Sequence, residues 1–289
     1  MNKLILKPGA VRSVQKQASS FLEKNGKNSQ ESLWLLQDFY QWSLTDYYSH
    51  LDQWVGADDL RKIEEQLNQI VEGRPFQYVT GYSHFLGHIY QVTPDVLIPR
   101  PETEEWLERA LSIVGRYSQA LKVLDVGTGS GIIAIEHALS RPDDNVLATD
   151  ISEAALEVAK QNAEYLDAQL QFIKSDLFEE IEDSHFQIVY SNPPYIAESE
   201  RDVMTQNVID YEPPEALFAE EEGLAFYRRF AAVIAEKINL NQHHIFLEIG
   251  YLQKEAVIDM MSQVLPHSQI TCWTDFNGLD RVIHISRGF

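Results

Sequence analysis

The chain has 289 residues, of which 44% are hydrophobic, and its 44 acidic and 23 basic residues give a formal net charge of −21. This length allows one large domain or two smaller ones, and the composition is typical of a globular protein, which excludes a disordered chain. The charge argues against binding to bulk nucleic acid but leaves room for a local basic patch. The single cysteine, Cys272, excludes a disulfide framework and a multi-cysteine metal site.

The amino-terminal residues carry no pattern of export or membrane insertion. The apolar run at residues 4–6 is too short for a signal sequence, and no later stretch approaches the length of a membrane span. We therefore expect a cytoplasmic protein that does not associate with a membrane.

The first 74 residues are predicted to form a helical domain. Apolar residues recur at helical spacing in two stretches, at 33–47 and at 60–71. Asp58 and Asp59 are candidate caps for the second helix, and Gly73 is positioned to end it. The aromatic residues of the first stretch predict a buried core, with a docking face for a partner protein as the alternative.

Residues 75–98 predict a β-hairpin that links this domain to the rest of the chain. Aromatic and β-branched residues flank Gly87 in this stretch, as is typical of a hairpin. His84 and His88 are interpreted as polar hairpin residues rather than metal ligands, because the segment does not favour a helix and no third ligand lies close by.

A helix is predicted to begin at Pro101, where prolines precede an acidic first turn. Arg100, just before it, is interpreted either as surface charge or as part of a stiff lid over a charged ligand.

From residue 99 to 289, predicted strands and helices alternate. The strands are expected at 122–126, 146–150, 170–175, 186–191, 244–250, 270–274 and 281–286, and the helices at 131–139, 152–166, 224–238 and 253–264. Such alternation predicts an α/β fold, with a doubly wound parallel sheet covered on both faces. The last two strands are joined by a link too short for a crossover helix, so they predict an antiparallel hairpin at one edge.

Ligand-binding residues are predicted at the carboxyl ends of the first three of these strands. The loop after the first strand contains Gly127, Thr128, Gly129, Ser130 and Gly131, and its glycines allow a tight turn and close approach of a ligand. The second strand ends in Asp150, whose carboxylate is suited to the two hydroxyls of a ribose. After the third strand, Asp176 is a candidate for an adenine amino group and Leu177 for packing on the purine ring.

The fourth strand ends in Asn192, Pro193, Pro194 and Tyr195. Proline offers no N–H to the strand ladder, so the two prolines end the strand and stiffen its end. The Asn192 carboxamide both donates and accepts hydrogen bonds and is therefore suited to another planar –NH2 group, over which the tyrosine ring can pack.

These residues resemble the PrmC/HemK family of class I S-adenosylmethionine-dependent methyltransferases. The resemblance also covers the helical front, Thr80-Gly81 with the aromatic hairpin, residues 97–104, 211–213, 216–217, 222–224, 248–250 with Gln253, and 280–282. It implies a seven-stranded Rossmann-like methyltransferase sheet behind an amino-terminal helical bundle. The position after Ser175-Asp176 is often tryptophan in the family and is Leu177 here, which should weaken stacking on adenine. The segment 219–222 is more acidic than in many relatives.

The resemblance further implies methylation of the side-chain amide nitrogen of a glutamine in class I peptide chain release factors. S-adenosyl-L-methionine would be held by residues 127–131, Asp150, Leu177 and Asn192, and would leave as S-adenosyl-L-homocysteine. Asn192 to Tyr195 would bind the glutamine, with Asn192, Pro193 and Tyr195 as catalytic residues. No metal, direct nucleic-acid contact or membrane is implied, and a monomer is expected.

Three alternatives stay open at this point. Adenine-N6 methyltransferases of DNA or RNA share the Asn/Asp-Pro-Pro-aromatic strand end, although the net charge of −21 argues against them. A glutamine methyltransferase of a ribosomal protein and a non-catalytic donor-binding protein are the other two.

Overall fold

The computed structural model describes residues 4–182 and 184–288. In it the chain divides into two compact units, with the boundary between Tyr82 and Ser83.

The first unit is helical, as its periodicity predicts. Its helices are α1 (Val11–Lys24), α2 (Glu31–Tyr40), α3 (Leu44–Ser49), α4 (Ala57–Glu72) and α5 (Phe76–Thr80). Their apolar faces bury a core that includes Leu22, Leu36 and Ile63. Gly73 ends α4 in the left-handed conformation, as predicted, but Gly56 is the N-cap. Asp58 and Asp59 lie instead in the first turn of α4, where carboxylates favour the positive end of the helix dipole.

The predicted hairpin forms, but over a shorter stretch than 75–98. Strands β1 (Tyr82–Phe85) and β2 (His88–Gln91) pair as a two-stranded sheet, and Phe76–Thr80 are helical instead. Leu86 and Gly87, the two residues between the strands, both have positive φ, which suits the twist of a two-residue hairpin turn. The assignment of 75–98 as a linker between a recognition domain and a catalytic domain stays a prediction.

The second unit is built on a seven-stranded sheet. The strands are β3 (Lys122–Val126), β4 (Asn145–Asp150), β5 (Gln171–Lys174), β6 (Ile188–Ser191), β9 (His243–Glu248), β10 (Gln269–Thr274) and β11 (Asp280–Arg287). Their order is β10-β11-β9-β6-β3-β4-β5, in which β11 runs antiparallel to both of its neighbours. The other pairs are parallel, which confirms the predicted sheet with an antiparallel hairpin at its edge.

Helices cover both faces of this sheet. They are α6 (Pro101–Val114), α7 (Ile132–Ser140), α8 (Glu153–Tyr165), α12 (Ala225–Lys237) and α13 (Lys254–Val264). Successive residues of β6 enter opposite cores: Tyr190 packs with residues of α6 and α7, and Val189 with residues of α12 and α13. The sheet is therefore doubly wound, because both faces of a central strand are buried under helices.

The segment between β6 and α12 contains elements that periodicity does not predict. These are β7 (Ile196–Ala197), a 3-10 helix (Glu198–Val203), α9 (Gln206–Tyr211), α10 (Pro214–Leu217), β8 (Phe218–Ala219) and the single turn α11 (Glu220–Gly223). β7 and β8 pair in parallel. Each element is too short to establish a repeating apolar pattern.

Candidate active site

Most of the predicted ligand-binding residues lie around one cavity at the carboxyl edge of the sheet. The cavity has a volume of about 460 Å³. Its walls include Gly127, Thr128, Gly129, Ser130, Asp150, Asp176, Leu177, Asn192 and Pro194. Of the residues assigned to the methyl donor, Gly131 does not line the cavity. The carboxyl ends of parallel strands are the usual ligand-binding edge of open α/β sheets.

The glycines of the loop at residues 127–131 have different structural roles. Gly127, Gly129 and Gly131 all have positive φ, which side chains disfavour. At Gly127 and Gly129 the space for a Cβ atom is empty, so the backbone is open to the cavity. At Gly131 a Cβ would lie 2.9 Å from the Ile135 side chain and 3.0 Å from that of Ala159, so this glycine allows close packing of α7 against α8.

Asp150 is fixed at the end of β4 by backbone groups. Its Oδ2 accepts a hydrogen bond from the Gly129 N–H, and its Oδ1 accepts one from the Ser152 N–H, both at 2.9 Å. Burial raises the pKa of Asp150, and these backbone hydrogen bonds oppose the rise. The carboxylate is thus tied to the glycine loop and oriented at the cavity wall.

A second carboxyl group, Asp125, lies beneath the same loop and received no role from the sequence pattern. It is fully buried, and its Oδ2 accepts a hydrogen bond of 2.6 Å from the Thr128 hydroxyl. Burial raises the pKa of Asp125 to about 7, and the nearby Asp150 charge adds to the rise. Asp125 lies within β3, where no sequence spacing distinguishes it from the other buried strand residues.

The residues after β5 are held in an unusual backbone conformation. Leu177 has a φ of 52°, which is rare for a residue with a side chain, and the Ser175 hydroxyl donates to its carbonyl at 3.1 Å. The Asp176 carboxylate, predicted to meet an adenine amino group, forms an ion pair with Arg229 at 2.8 Å. Arg229 also lines the cavity and was not singled out in the sequence.

Asn192 stands between this cavity and a second one. The second cavity, of about 230 Å³, is lined by Asn192, Pro193 and Tyr195 and by residues of the segment after β7. The strand end is secured because the Ser191 hydroxyl donates to the Val126 carbonyl at 2.7 Å. One side chain therefore borders both cavities.

Buried polar groups hold the other side of the Asn192–Tyr195 stretch. The Tyr195 hydroxyl donates to Glu248 Oε1 at 3.3 Å, and the Gln253 side-chain amide donates to the Tyr195 carbonyl at 2.8 Å. Burial raises the pKa of Glu248 and that of Tyr195, whereas hydrogen bonds from Trp106 and Thr103 lower the pKa of Glu248. Glu248 and Gln253 are among the residues that carry the resemblance, but no role was predicted for either of them.

Arg100 is engaged by the protein itself. One of its terminal nitrogens, Nη2, donates to both carboxylate oxygens of Glu212, at 2.7 and 2.8 Å. The Glu212 side chain is only 1% exposed. Arg100 lines both cavities, so this ion pair ties the segment after β6 to the residue that precedes α6 at the edge of the site.

Residues 4–182 and 184–288 contain neither a candidate metal-binding cluster nor a candidate membrane span. No group of three or more His, Cys, Asp or Glu side chains there is arranged to hold a metal ion. No helix in that part of the chain has the length and apolar character needed to cross a membrane. The predicted absence of a metal stays a prediction.

Comparison with known proteins identifies close relatives of both units. A family model described as the PrmC N-terminal domain matches residues 13–81, and one described as the methyltransferase small domain matches residues 111–220. A release factor glutamine methyltransferase of Enterococcus faecalis is 37% identical over 265 residues, covering 92% of this chain and 95% of that one. Another, from Lactococcus lactis, is 41% identical over 231 residues, with coverage of 80% and 84%.

A solved structure shares the fold at lower identity. It is a 16S rRNA methyltransferase of T. thermophilus in complex with AdoMet and guanosine, with a TM-score of 0.51 and 17% identity over 71% of this chain and 49% of that chain. At this level of identity the similarity concerns the fold of the sheet and its helices.

Proposed function

The chain belongs to the release factor glutamine methyltransferase family, and on that premise we propose that it methylates the side-chain amide nitrogen of the glutamine in the GGQ motif of class I peptide chain release factors. The methyl donor in this proposal is S-adenosyl-L-methionine. The observation that carries the proposal is the position of Asn192, which borders both the 460 Å³ cavity and the 230 Å³ cavity.

The larger cavity fits the donor in its size and in its polar groups. The open backbone at Gly127 and Gly129 allows close approach of the methionine portion, and the Asp150 carboxylate offers two oxygens for the ribose hydroxyls. Leu177 supplies an apolar contact for the adenine. We assign Thr128, Ser130 and Asn192 to the same site, whereas Gly131 acts through the packing of α7.

The smaller cavity is assigned to the target glutamine. An amide nitrogen is a weak nucleophile because its lone pair is delocalised into the carbonyl group. The Asn192 side-chain oxygen and the Pro193 carbonyl would accept hydrogen bonds from its two N–H groups and fix its orientation. Tyr195 would pack against the glutamine. Pro193 and Pro194 stiffen the strand end, so these acceptors are already in position before the substrate arrives.

The reaction then depends mainly on position and preorganised acceptors. The bound donor supplies a methyl group on a sulfonium centre and becomes S-adenosyl-L-homocysteine. The carbon–sulfur bond breaks as the carbon–nitrogen bond forms, and the proton of the nitrogen leaves to solvent after the transfer. Ideal positioning contributes up to about 7–11 kcal/mol in such reactions.

A protein substrate is supported by the relatives from Enterococcus faecalis and Lactococcus lactis, both of which are release factor glutamine methyltransferases. The net charge of −21 supports the choice of a protein over bulk nucleic acid as the substrate. The expectations of a monomeric state and a cytoplasmic location stay predictions.

The test is methyl transfer from labelled S-adenosyl-L-methionine to purified release factor, with the GGQ glutamine changed to alanine in a parallel sample. The proposal expects label on the intact factor and none on the changed one. Label on ribosomal protein or on nucleic acid, with none on the release factor, would overturn it.

A further inference from the structure

A chain of hydrogen bonds runs from Asn192 into the protein interior. The Asn192 side-chain nitrogen, Nδ2, donates to the Thr103 hydroxyl oxygen at 3.1 Å. The Thr103 hydroxyl donates to Glu248 Oε2 at 2.7 Å. Trp106 Nε1 donates to the same carboxylate oxygen at 2.8 Å. Thr103 and Glu248 are both buried, at 0% and 1% exposure, so solvent does not compete for these bonds.

The direction of each bond in this chain follows from the chemistry of the groups. With Glu248 ionised, Oε2 can only accept hydrogen bonds, and it accepts one from the Trp106 indole N–H. A threonine hydroxyl has one proton, and Thr103 gives it to that oxygen. Towards Asn192, Thr103 can then only accept. The amide of Asn192 must therefore turn its nitrogen to Thr103.

This orientation determines what Asn192 presents to the cavities. Its side-chain oxygen accepts no hydrogen bond from the described residues, 4–182 and 184–288, and is left for a ligand. In the opposite orientation, the Asn192 –NH2 group would face the –NH2 group of a glutamine. Two hydrogen-bond donors would then face each other without an acceptor. A buried or bound donor without an acceptor is strongly unfavourable.

We propose that Thr103, held by Glu248 and Trp106, is a positioning residue that sets the amide orientation of Asn192 for the acceptance of a hydrogen bond from the target amide. This inference rests on the proposed function, because it gives a direction to the Asn192 contact invoked there. The position of Thr103 in the first turn of α6, just after the stiff Arg100-Pro101 entry, keeps its hydroxyl in place. The three participating elements are α6, the end of β6 and the end of β9, which no local sequence pattern connects.

The first test replaces Thr103 with valine, which has the same shape but no hydroxyl. With the hydroxyl gone, T103V is expected to lower kcat on release factor by about 100-fold, the loss typical of removing one preorganised hydrogen bond. The dissociation constant for S-adenosyl-L-homocysteine should change by less than about tenfold, the range expected for one neutral hydrogen bond. T103S, which restores the hydroxyl, should recover most of the lost turnover. T271V removes a hydroxyl on the edge strand β10 and serves as the matched control.

A second measurement needs no variant and stays informative if T103V does not fold. In protein labelled with ¹⁵N-asparagine, the side-chain NH2 protons of Asn192 should exchange slowly with solvent, because one of them is bonded to buried Thr103. Rapid exchange of both protons would overturn the inference, as would wild-type turnover in T103V. If wild-type protein fails to methylate release factor, the proposed function fails, while slow or rapid exchange still decides the orientation of Asn192.

Discussion

Gly223 lies directly against the backbone of Tyr195. A Cβ atom at Gly223 would stand 2.1 Å from the Tyr195 carbonyl oxygen, and the φ of Gly223 is +81°. Glu221 and Glu222, just before it, also have positive φ, at 55° each. The acidic segment at 219–222 thus leads into a left-handed turn that packs on the proposed glutamine site, and its backbone strain is stabilised by that packing.

Gly223→Ala should therefore weaken both the fold and the site. The added methyl group would collide with the Tyr195 carbonyl oxygen, and a left-handed backbone is unfavourable for alanine. Together these two effects should lower the free energy of unfolding by about 2–4 kcal/mol. Gly278→Ala is the matched control, because Gly278 has a φ of +78° but empty space around the Cβ position. It should cost only about 1 kcal/mol and leave turnover unchanged. Chemical denaturation and methyl-transfer assays would measure both effects, and equal effects of the two variants would contradict the account.

The ion pair of Arg100 and Glu212 gives a second prediction. Arg100→Ala leaves a carboxylate that is 1% exposed without its partner, which should lower the free energy of unfolding by about 3 kcal/mol. Glu212→Gln added to this variant should recover part of the loss, since it removes the unpaired charge. Arg61→Ala breaks an exposed ion pair with Asp58 and should cost less than about 1 kcal/mol. If R100A loses no more unfolding free energy than R61A does, the Arg100–Glu212 pair does not stabilise the fold as a buried ion pair.

A third prediction concerns Asp150 and the methyl donor. Asp150→Ala removes the carboxylate proposed to bind the ribose. It also leaves the Gly129 N–H without the acceptor that Asp150 provides. The affinity for S-adenosyl-L-homocysteine, measured by calorimetry, should fall by about 10–100-fold, because a hydrogen bond to a charged group typically contributes that much. Asp143→Ala, at an exposed position, should bind as the wild type does. Unchanged affinity in D150A would remove Asp150 from the donor site.

The stacked pair His244 and His284 predicts a loss of stability in mild acid. Their ring nitrogens lie 2.8 Å apart, and burial lowers the pKa of His244 to about 4 and that of His284 to about 3. Between these values and the ordinary pKa near 6.5, the unfolded chain binds more protons than the folded one, so stability falls as the pH falls. Above pH ~6.5 the pair should have no effect.

Removal of one histidine isolates this contribution. The free energy of unfolding is measured at pH ~7 and at pH ~5 for the wild type and for His284→Gln. Its decrease between the two pH values should be about 2 kcal/mol smaller in the variant. His267→Gln, which removes an exposed histidine outside the pair, serves as the matched control. Parallel pH profiles of H284Q and the wild type would contradict the assignment.

The strand and helix pattern was predictable because each central element carries its own local signal. The β3 strand occupies the predicted 122–126, and the helix at Glu153–Tyr165 lies within the predicted 152–166. The segment 196–223 escaped prediction because its elements are stabilised by contacts with distant residues, such as the Arg100–Glu212 pair, rather than by a repeating apolar pattern.

The site was predictable where residues follow strand ends and not where they act across the fold. Gly127, Asp150 and Asn192 each follow or end a strand, and parallel topology brings such positions together. Thr103 and Glu248 lie 89 and 56 positions from Asn192 in the sequence, respectively, and meet it only through packing of α6 on the sheet. Asp125 was hidden for another reason, since a buried carboxyl group within a strand has no distinctive sequence spacing.

The most direct test of the central claim is to locate the transferred methyl group by fragmentation mass spectrometry of release factor treated with wild-type protein or with Asn192→Ala. With the wild type, a methyl group is expected on the side-chain amide nitrogen of the GGQ glutamine. With N192A, turnover should fall by at least about 100-fold, while donor binding is only partly weakened. A methyl group on another residue, or equal methylation by N192A, would contradict the role of Asn192 as the acceptor that positions the glutamine.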